Sequence, residues 1–177
     1  MAAAATNKKI SPDLVSVNRK IAHLEENGRA RHPNSAPTVL TEPEINAYLA
    51  SDEVLLPAGV KSVRLTGTPG TITGTAQVDF DQVRADSGSS NPLLSIFSGI
   101  HEVTVQAHAY GRGGQGYVHV ESVALDGIDV PNFVLELFVR KYIQPHNPEI
   151  GIDSRFKLPD RIDSAAAGQH QVMLVQK

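Results

Sequence analysis

The sequence predicts an α+β domain in which a curved antiparallel β-sheet wraps around one long apolar helix, with an N-terminal helical appendage. Three observations predict it. Residues 131–143 carry Phe133, Val134, Leu137 and Phe138 on one helical face, and Leu135, Val139 and Ile143 widen that face to most of the circumference. A helix apolar nearly all round must be covered on several sides. The segments around it alternate apolar and polar with a period of two, the pattern of half-buried antiparallel strands. A narrow helical stripe near the N-terminus is set apart by an aperiodic stretch with two prolines, residues 29–37. The division expected is residues 1–38 as helix and linker and residues 39–177 as the α+β domain.

Each element follows from local chemistry. Ser11-Pro12-Asp13 opens the first helix as cap, first helical position and first-turn acid. Leu14, Val17, Ile21 and Leu24 recur at steps of three and four, and Asn27-Gly28 ends the run. Thr41 and Glu44 are spaced as a capping box, and Leu40 and Ile45 as its hydrophobic staple. That helix runs to about Ser51 and buries Ile45, Tyr48 and Leu49. Val63 and Leu65 then share one side of a strand, and Thr68-Pro69-Gly70 turns the chain.

Ile72, Gly74, Ala76, Val78 and Phe80 alternate with Thr73, Thr75, Gln77 and Asp79. Residues 87–91 read as a loop and 92–97 as a short buried helix. Val103, Val105, Ala107 and Ala109 point inward from the next strand, which the glycine-rich residues 111–116 join to a strand over 117–125. Asp126-Gly127 turns into the long helix, with Pro131 at a first helical position, and Gln144-Pro145 stops it. Short extended pieces around Phe156 and Ile162, a small-residue turn at residues 165–168 and a last strand over 171–176 complete the chain.

Composition narrows the function. Of 177 residues, 41% are hydrophobic and 20% charged, enough for one domain with a real core. A net charge of −3 argues against a nucleic-acid partner, which demands a basic surface. The absence of cysteine excludes disulfides, thiolate metal sites and cysteine nucleophiles. No stretch approaches transmembrane length. The alanine run after Met1 is too short for a signal peptide core and lacks basic residues ahead of it. The expectation is that it is the remnant of a removed signal or anchor.

Catalytic and cofactor signatures are weak. The glycine-rich loop joins two strands, whereas a phosphate cradle must lead into a helix N-terminus. It reads as a hairpin tip. No Gly-x-Ser-x-Gly elbow occurs. Asp79 and Asp81 are the one close carboxylate pair on an expected strand, and they more often decorate a solvated strand end. If Tyr110 faces Tyr117 across the hairpin, His108 faces His119 and Gln106 faces Glu121, a weak candidate for a divalent metal. Polar residues on the wet face of a sheet need no ligand, so no cofactor is expected and the chain reads as non-enzymatic.

Leu40-Thr41-Glu42-Pro43-Glu44-Ile45-Asn46-Ala47-Tyr48-Leu49 resembles the L-T/S-E-x-E-L/I-N-x-L opening of bacterial cell-envelope domains of unknown function. With the strand meander, Leu125-Asp126-Gly127-Ile128-Asp129-Val130-Pro131, a late Leu158-Pro159 and a closing strand, residues 39–176 resemble the tubular lipid-binding (TULIP) and AsmA-like groups. The resemblance implies a periplasmic or extracytoplasmic setting near a membrane, and an apolar groove between helix and curved sheet that takes lipid chains.

The residues themselves leave two readings open. Small inward side chains, Gly74, Ala76, Ala107 and Ala109, open a groove for lipid or another apolar ligand, with Phe133, Leu137 and Phe138 as its helical wall. Alternatively they let the helix pack close on a solid core. The chain is then an interaction module whose first helix binds a partner or a second copy.

Overall fold

The computed structural model describes residues 11–87, 98–145 and 148–177. Among these, four α-helices accompany a nine-stranded open sheet in which every pairing is antiparallel. The chain runs α1 (Pro12–Arg29), β1 (Thr38–Thr41), α2 (Glu42–Leu49), β2 (Val60–Thr68), β3 (Thr71–Asp79) and α3 (Phe80–Ser87). It continues with β4 (Ile100–Arg112), β5 (Gln115–Leu125), β6 (Ile128–Asp129), α4 (Asn132–Phe138), β7 (Asp153–Lys157), β8 (Ile162–Gly168) and β9 (Gln171–Gln176). The short helix expected at residues 92–97 lies outside the described residues, as does the alanine run after Met1.

The sheet is organised on β4. One edge of β4 pairs with β3 along Ile100–Asp79 to His108–Thr71, then with β8 at Tyr110 and Gly111. Its other edge pairs with β5, which in turn carries β6 and β7. The sheet therefore forks, with β2 beyond β3 on one branch and β9 then β1 beyond β8 on the other. The period-two reading of these strands holds, interrupted in β5 by a one-residue bulge at Glu121. Gly113 and Gly114 form the β4–β5 tip with φ of +59° and +75°, a conformation that suits glycine in a two-residue hairpin.

Three local readings change. Leu40, read from sequence as the staple partner of Ile45, also belongs to a strand, Thr38–Thr41, paired with β9. Phe80, expected to end a strand, begins α3 instead; Asp79 caps that helix by accepting from the Asp81 and Gln82 amides. Residues 165–168, expected as a turn, belong to β8, because each of the three alanines finds a ladder partner on β9. The turn comes later, where His170 takes a φ of +54°.

The helix expected over residues 131–143 is shorter and less enclosed than its composition suggests. Pro131 is the cap rather than the first helical residue, and α4 covers only Asn132–Phe138. Val139–Ile143 continues as a π-helical turn, with the Gln144 amide donating to the Val139 carbonyl. Val134, Leu135, Phe138 and Val139 are covered, whereas Phe133 and Leu137 are exposed. The α+β class with an antiparallel sheet stands. One long helix enclosed by that sheet does not describe what forms.

Read from sequence as an appendage, α1 is packed onto the domain. It lies against α2, β1 and β9 and buries Val17 and Leu24, half of its apolar stripe. A carboxylate fixes it there. Glu44, 5% exposed, accepts from Ser16 Oγ at 2.5 Å, Lys20 Nζ at 2.8 Å and the Thr41 amide at 2.8 Å. Burial pushes its pKa up, but the Lys20, Ser16 and Thr41 hydrogen bonds outweigh that and hold it down at about 2. At the far end of α1, the buried Gln176 amide donates to the carbonyls of Leu24 at 2.7 Å and Asp160 at 2.5 Å. There the helix comes so close that a Cβ on Gly28 would lie 2.6 Å from the Asp160 carbonyl oxygen.

Two outcomes follow for α1. Gly28→Ala in an isolated helix is stabilising by roughly 1 kcal/mol. Here it should lower the melting temperature, and a rise would show that α1 is not docked. Glu44→Gln should cost roughly 2–4 kcal/mol at pH 7. Because the folded pKa of Glu44 lies below its ordinary value of 4.5, that stability is present above pH 4.5 and disappears as pH falls toward 2. Denaturant unfolding of parent and variant should therefore converge in acid.

Candidate functional site

The alternation of β3, β4 and β5 gives the sheet an apolar face and a polar face. On the apolar face the cross-strand rows are Ala76–Val103–Leu125, Gly74–Val105–Val123 and Ile72–Ala107–Val120. α2 covers one end, where Ile45 lies with Leu65, Ile72 and Val172 around a small pocket. At the other end the cover is looser. There a cavity of about 270 Å³ lies between sheet and helices. Val78, Val103, Val105, Val123 and Leu125 form its floor, Phe80 and Val83 of α3 one wall, and Val130, Val134, Leu135, Phe138 and Ile143 the other. All of these side chains are apolar.

The groove residues expected from sequence separate on this geometry. Phe138 lines the cavity. Ala76 shares its row with the lining residue Val103 but does not itself line it, and neither do Ala107 and Ala109. Ala107 is buried beside Ile72 and Val120, where the small side chain serves close packing. Phe133 and Leu137 point away from the sheet and are exposed. Val123, Leu125, Phe80 and Val83 were not singled out. For the two strand residues no local pattern gave the signal: alternation continued from Val118 and Val120 would turn Ser122 and Ala124 inward, and only the bulge at Glu121 brings Val123 and Leu125 opposite Val105 and Val103.

His101 was missed as well, although it is in phase with Val103 and Val105 and pairs with Val78. Its ring meets Phe80 edge-on at 5.8 Å, so it ends the apolar row beside the cavity. His101 Nδ1 lies 2.5 Å from Asp126 Oδ2, and Nε2 lies 3.0 Å from the Ser98 carbonyl oxygen. Both partners only accept, so satisfying both requires a proton on each ring nitrogen. Asp126 sits in the β5–β6 turn with φ +49° and also accepts from the Glu102 amide. This clasp ties the start of β4 to the turn that leads into α4. The hydrogen bond to Asp126, then that to Ser98, raises the His101 pKa, and the His101 bond lowers that of Asp126.

The polar face holds the residues proposed for metal. His108 does face His119, and Tyr110 stacks on Tyr117 with centroids 5.0 Å apart. A register shift between Gln106 and Ala107 changes the next row, so that Gln106 faces Ser122 rather than Glu121. Glu121 instead meets His108 Nε2 at 2.7 Å, and His119 Nδ1 meets Asp153 at 2.6 Å. Each imidazole is thus engaged by its own carboxylate. Among the described residues no group of three His, Cys, Asp or Glu side chains could hold a metal ion. Asp79 and Asp81 serve the start of α3, with Asp81 also bound to Arg84 and the Gly99 amide. Among the described residues no helix is long and apolar enough to cross a membrane.

No family model, no curated protein and no solved structure matches this chain.

The clasp makes stability depend on pH in a defined direction. The raised His101 pKa contributes stability fully below the ordinary imidazole value of 6.5, and this is lost as pH rises through the folded value. The lowered Asp126 pKa contributes above the ordinary 3.8 and fails as pH falls through its own folded value. The difference in melting temperature between the parent and Asp126→Asn should therefore be largest between about pH 4 and 6.5 and shrink toward pH 9. Asparagine tolerates the left-handed backbone, which adds only a pH-independent offset. A difference constant across that range would remove the clasp.

Proposed function

We propose that this chain is a non-enzymatic binding protein that holds an apolar ligand, of the lipid acyl-chain class, in the cavity between the sheet and α3–α4. The single observation that supports this reading is a cavity of about 270 Å³ whose lining, among the described residues, is entirely apolar. The cavity is partly open to solvent, and apolar surface left against water is unfavourable. Water does not solve the problem, because an ordered water needs two to four polar partners. An apolar cavity of about 150 Å³ takes up benzene, so this one suits an apolar group nearly twice that size. A short length of acyl chain or a small ring system meets that description.

The resemblance to lipid-binding envelope domains supports the same ligand class and an extracytoplasmic setting. A role as an interaction module acting through α1 has less support, since Val17 and Leu24 of its stripe are already buried.

Two measurements test the reading together. Solvent extraction of the purified protein followed by mass spectrometry should release a lipid-class molecule. The parent should also bind a dansyl-labelled undecanoic acid, whereas Val105→Phe, which fills the cavity floor, should bind it at least roughly tenfold more weakly. In an open cavity that substitution should cost less than about 1 kcal/mol of stability, while in a filled core it should overpack and cost roughly 1–3 kcal/mol. A parent that binds nothing, beside a destabilised variant, would overturn the proposal.

A further inference from the structure

We infer that the outer face of α4 and its π-helical turn docks on an anionic lipid bilayer, an inference that rests on the cavity binding an apolar ligand. Phe133 and Leu137 are one helical turn apart, 67% and 48% exposed. Ile128, on the approach to the helix, is 73% exposed. Single exposed apolar residues need no explanation, but a paired Phe and Leu on one helical face is a patch that water disfavours.

The same segment carries its complement. Arg140 and Lys141 are exposed within the π-helical turn, and Glu136 is the one acid between Asn132 and Ile143. Asp129 is exposed at the end of β6, and Asp126 is engaged by His101. An apolar pair with adjacent cations is the arrangement by which short helical segments lie in the headgroup region of anionic membranes.

The position of this face favours a bilayer over a protein. α4 is a single wall with two sides: Val134, Leu135 and Phe138 line the cavity, while Phe133 and Leu137 face outward. An acyl chain partitions into membranes rather than water, so a lipid surface is the main source and sink for such a ligand. The wall nearest that surface would be the one to move. That wall is a helix of seven residues, Asn132–Phe138, followed by a π turn, and π turns recur at functional sites.

Co-sedimentation of the full chain with phosphatidylcholine vesicles, with and without phosphatidylglycerol, tests this. The parent should bind the anionic vesicles more tightly, and added salt should weaken that binding. Phe133→Ser combined with Leu137→Ser should weaken vesicle binding at least roughly tenfold, yet leave uptake of the dansyl probe from solution unchanged. Arg140→Gln combined with Lys141→Gln should abolish the preference for phosphatidylglycerol. A parent that ignores both vesicles overturns the inference, as does a serine variant that binds them equally. A face that takes a soluble protein but no vesicle overturns it too. Vesicle binding by a parent that takes up no probe would sink the cavity reading and leave the surface one standing.

Discussion

A thirteen-residue strand that alternates apolar and polar cannot be satisfied by one neighbour, and β4 sets that constraint on everything around it. Its inward row of Val103, Val105 and Ala107 needs cover, while Thr104, Gln106 and His108 need water or polar partners. Its length is more than either β3 or β5 uses, so β3 and β8 share one edge. That sharing is what makes the sheet fork. The cover then has to come from two directions, α2 over one end and α3 with α4 over the other.

Cover at the two ends differs in kind. Around α1 and α2 the chain spends polar chemistry, with a buried glutamate receiving a lysine, a serine and a backbone amide. Such a hub is costly to break once formed, because it would leave a desolvated charge without partners. It specifies where α1 sits more sharply than a narrow apolar stripe could. Over the opposite end, α4 presents one apolar side to the sheet and ends in a π turn, and the space beneath is not filled. The tight end and the loose end of one sheet thus divide stability from the proposed binding.

The polar face is instructive for what it does not become. His108 and His119 are brought opposite one another as the hairpin register requires, yet each is taken by a carboxylate. The bulge that shifts Glu121 out of register is a backbone event of one residue. It converts a would-be pair of imidazoles and a carboxylate into two separate imidazole–carboxylate contacts. Asp79 and Asp81 similarly lose any shared role once the strand ends between them and a helix begins.

Strand period, hairpin turns and the capping box were legible in the sequence because each depends on residues close in the chain. Alternation over β3, β4 and β5 as far as its bulge, the Gly113-Gly114 and Asp126-Gly127 turns and the Thr41–Glu44 box are all of this kind. The apolar character of residues 131–143 was equally plain, but not its distribution between a covered side and an exposed one. That distribution depends on how much sheet is available to cover it, which no local pattern records. The docking of α1 through Glu44, the pairing of β1 with β9, and the cavity bounded by valines rather than alanines all join residues distant in sequence. Sequence alone determined which faces are apolar and where the chain turns, since those follow from side-chain period and backbone preference. Only the tertiary structure decided which apolar faces meet and where they fail to fill the space between them, because packing is a property of opposing surfaces.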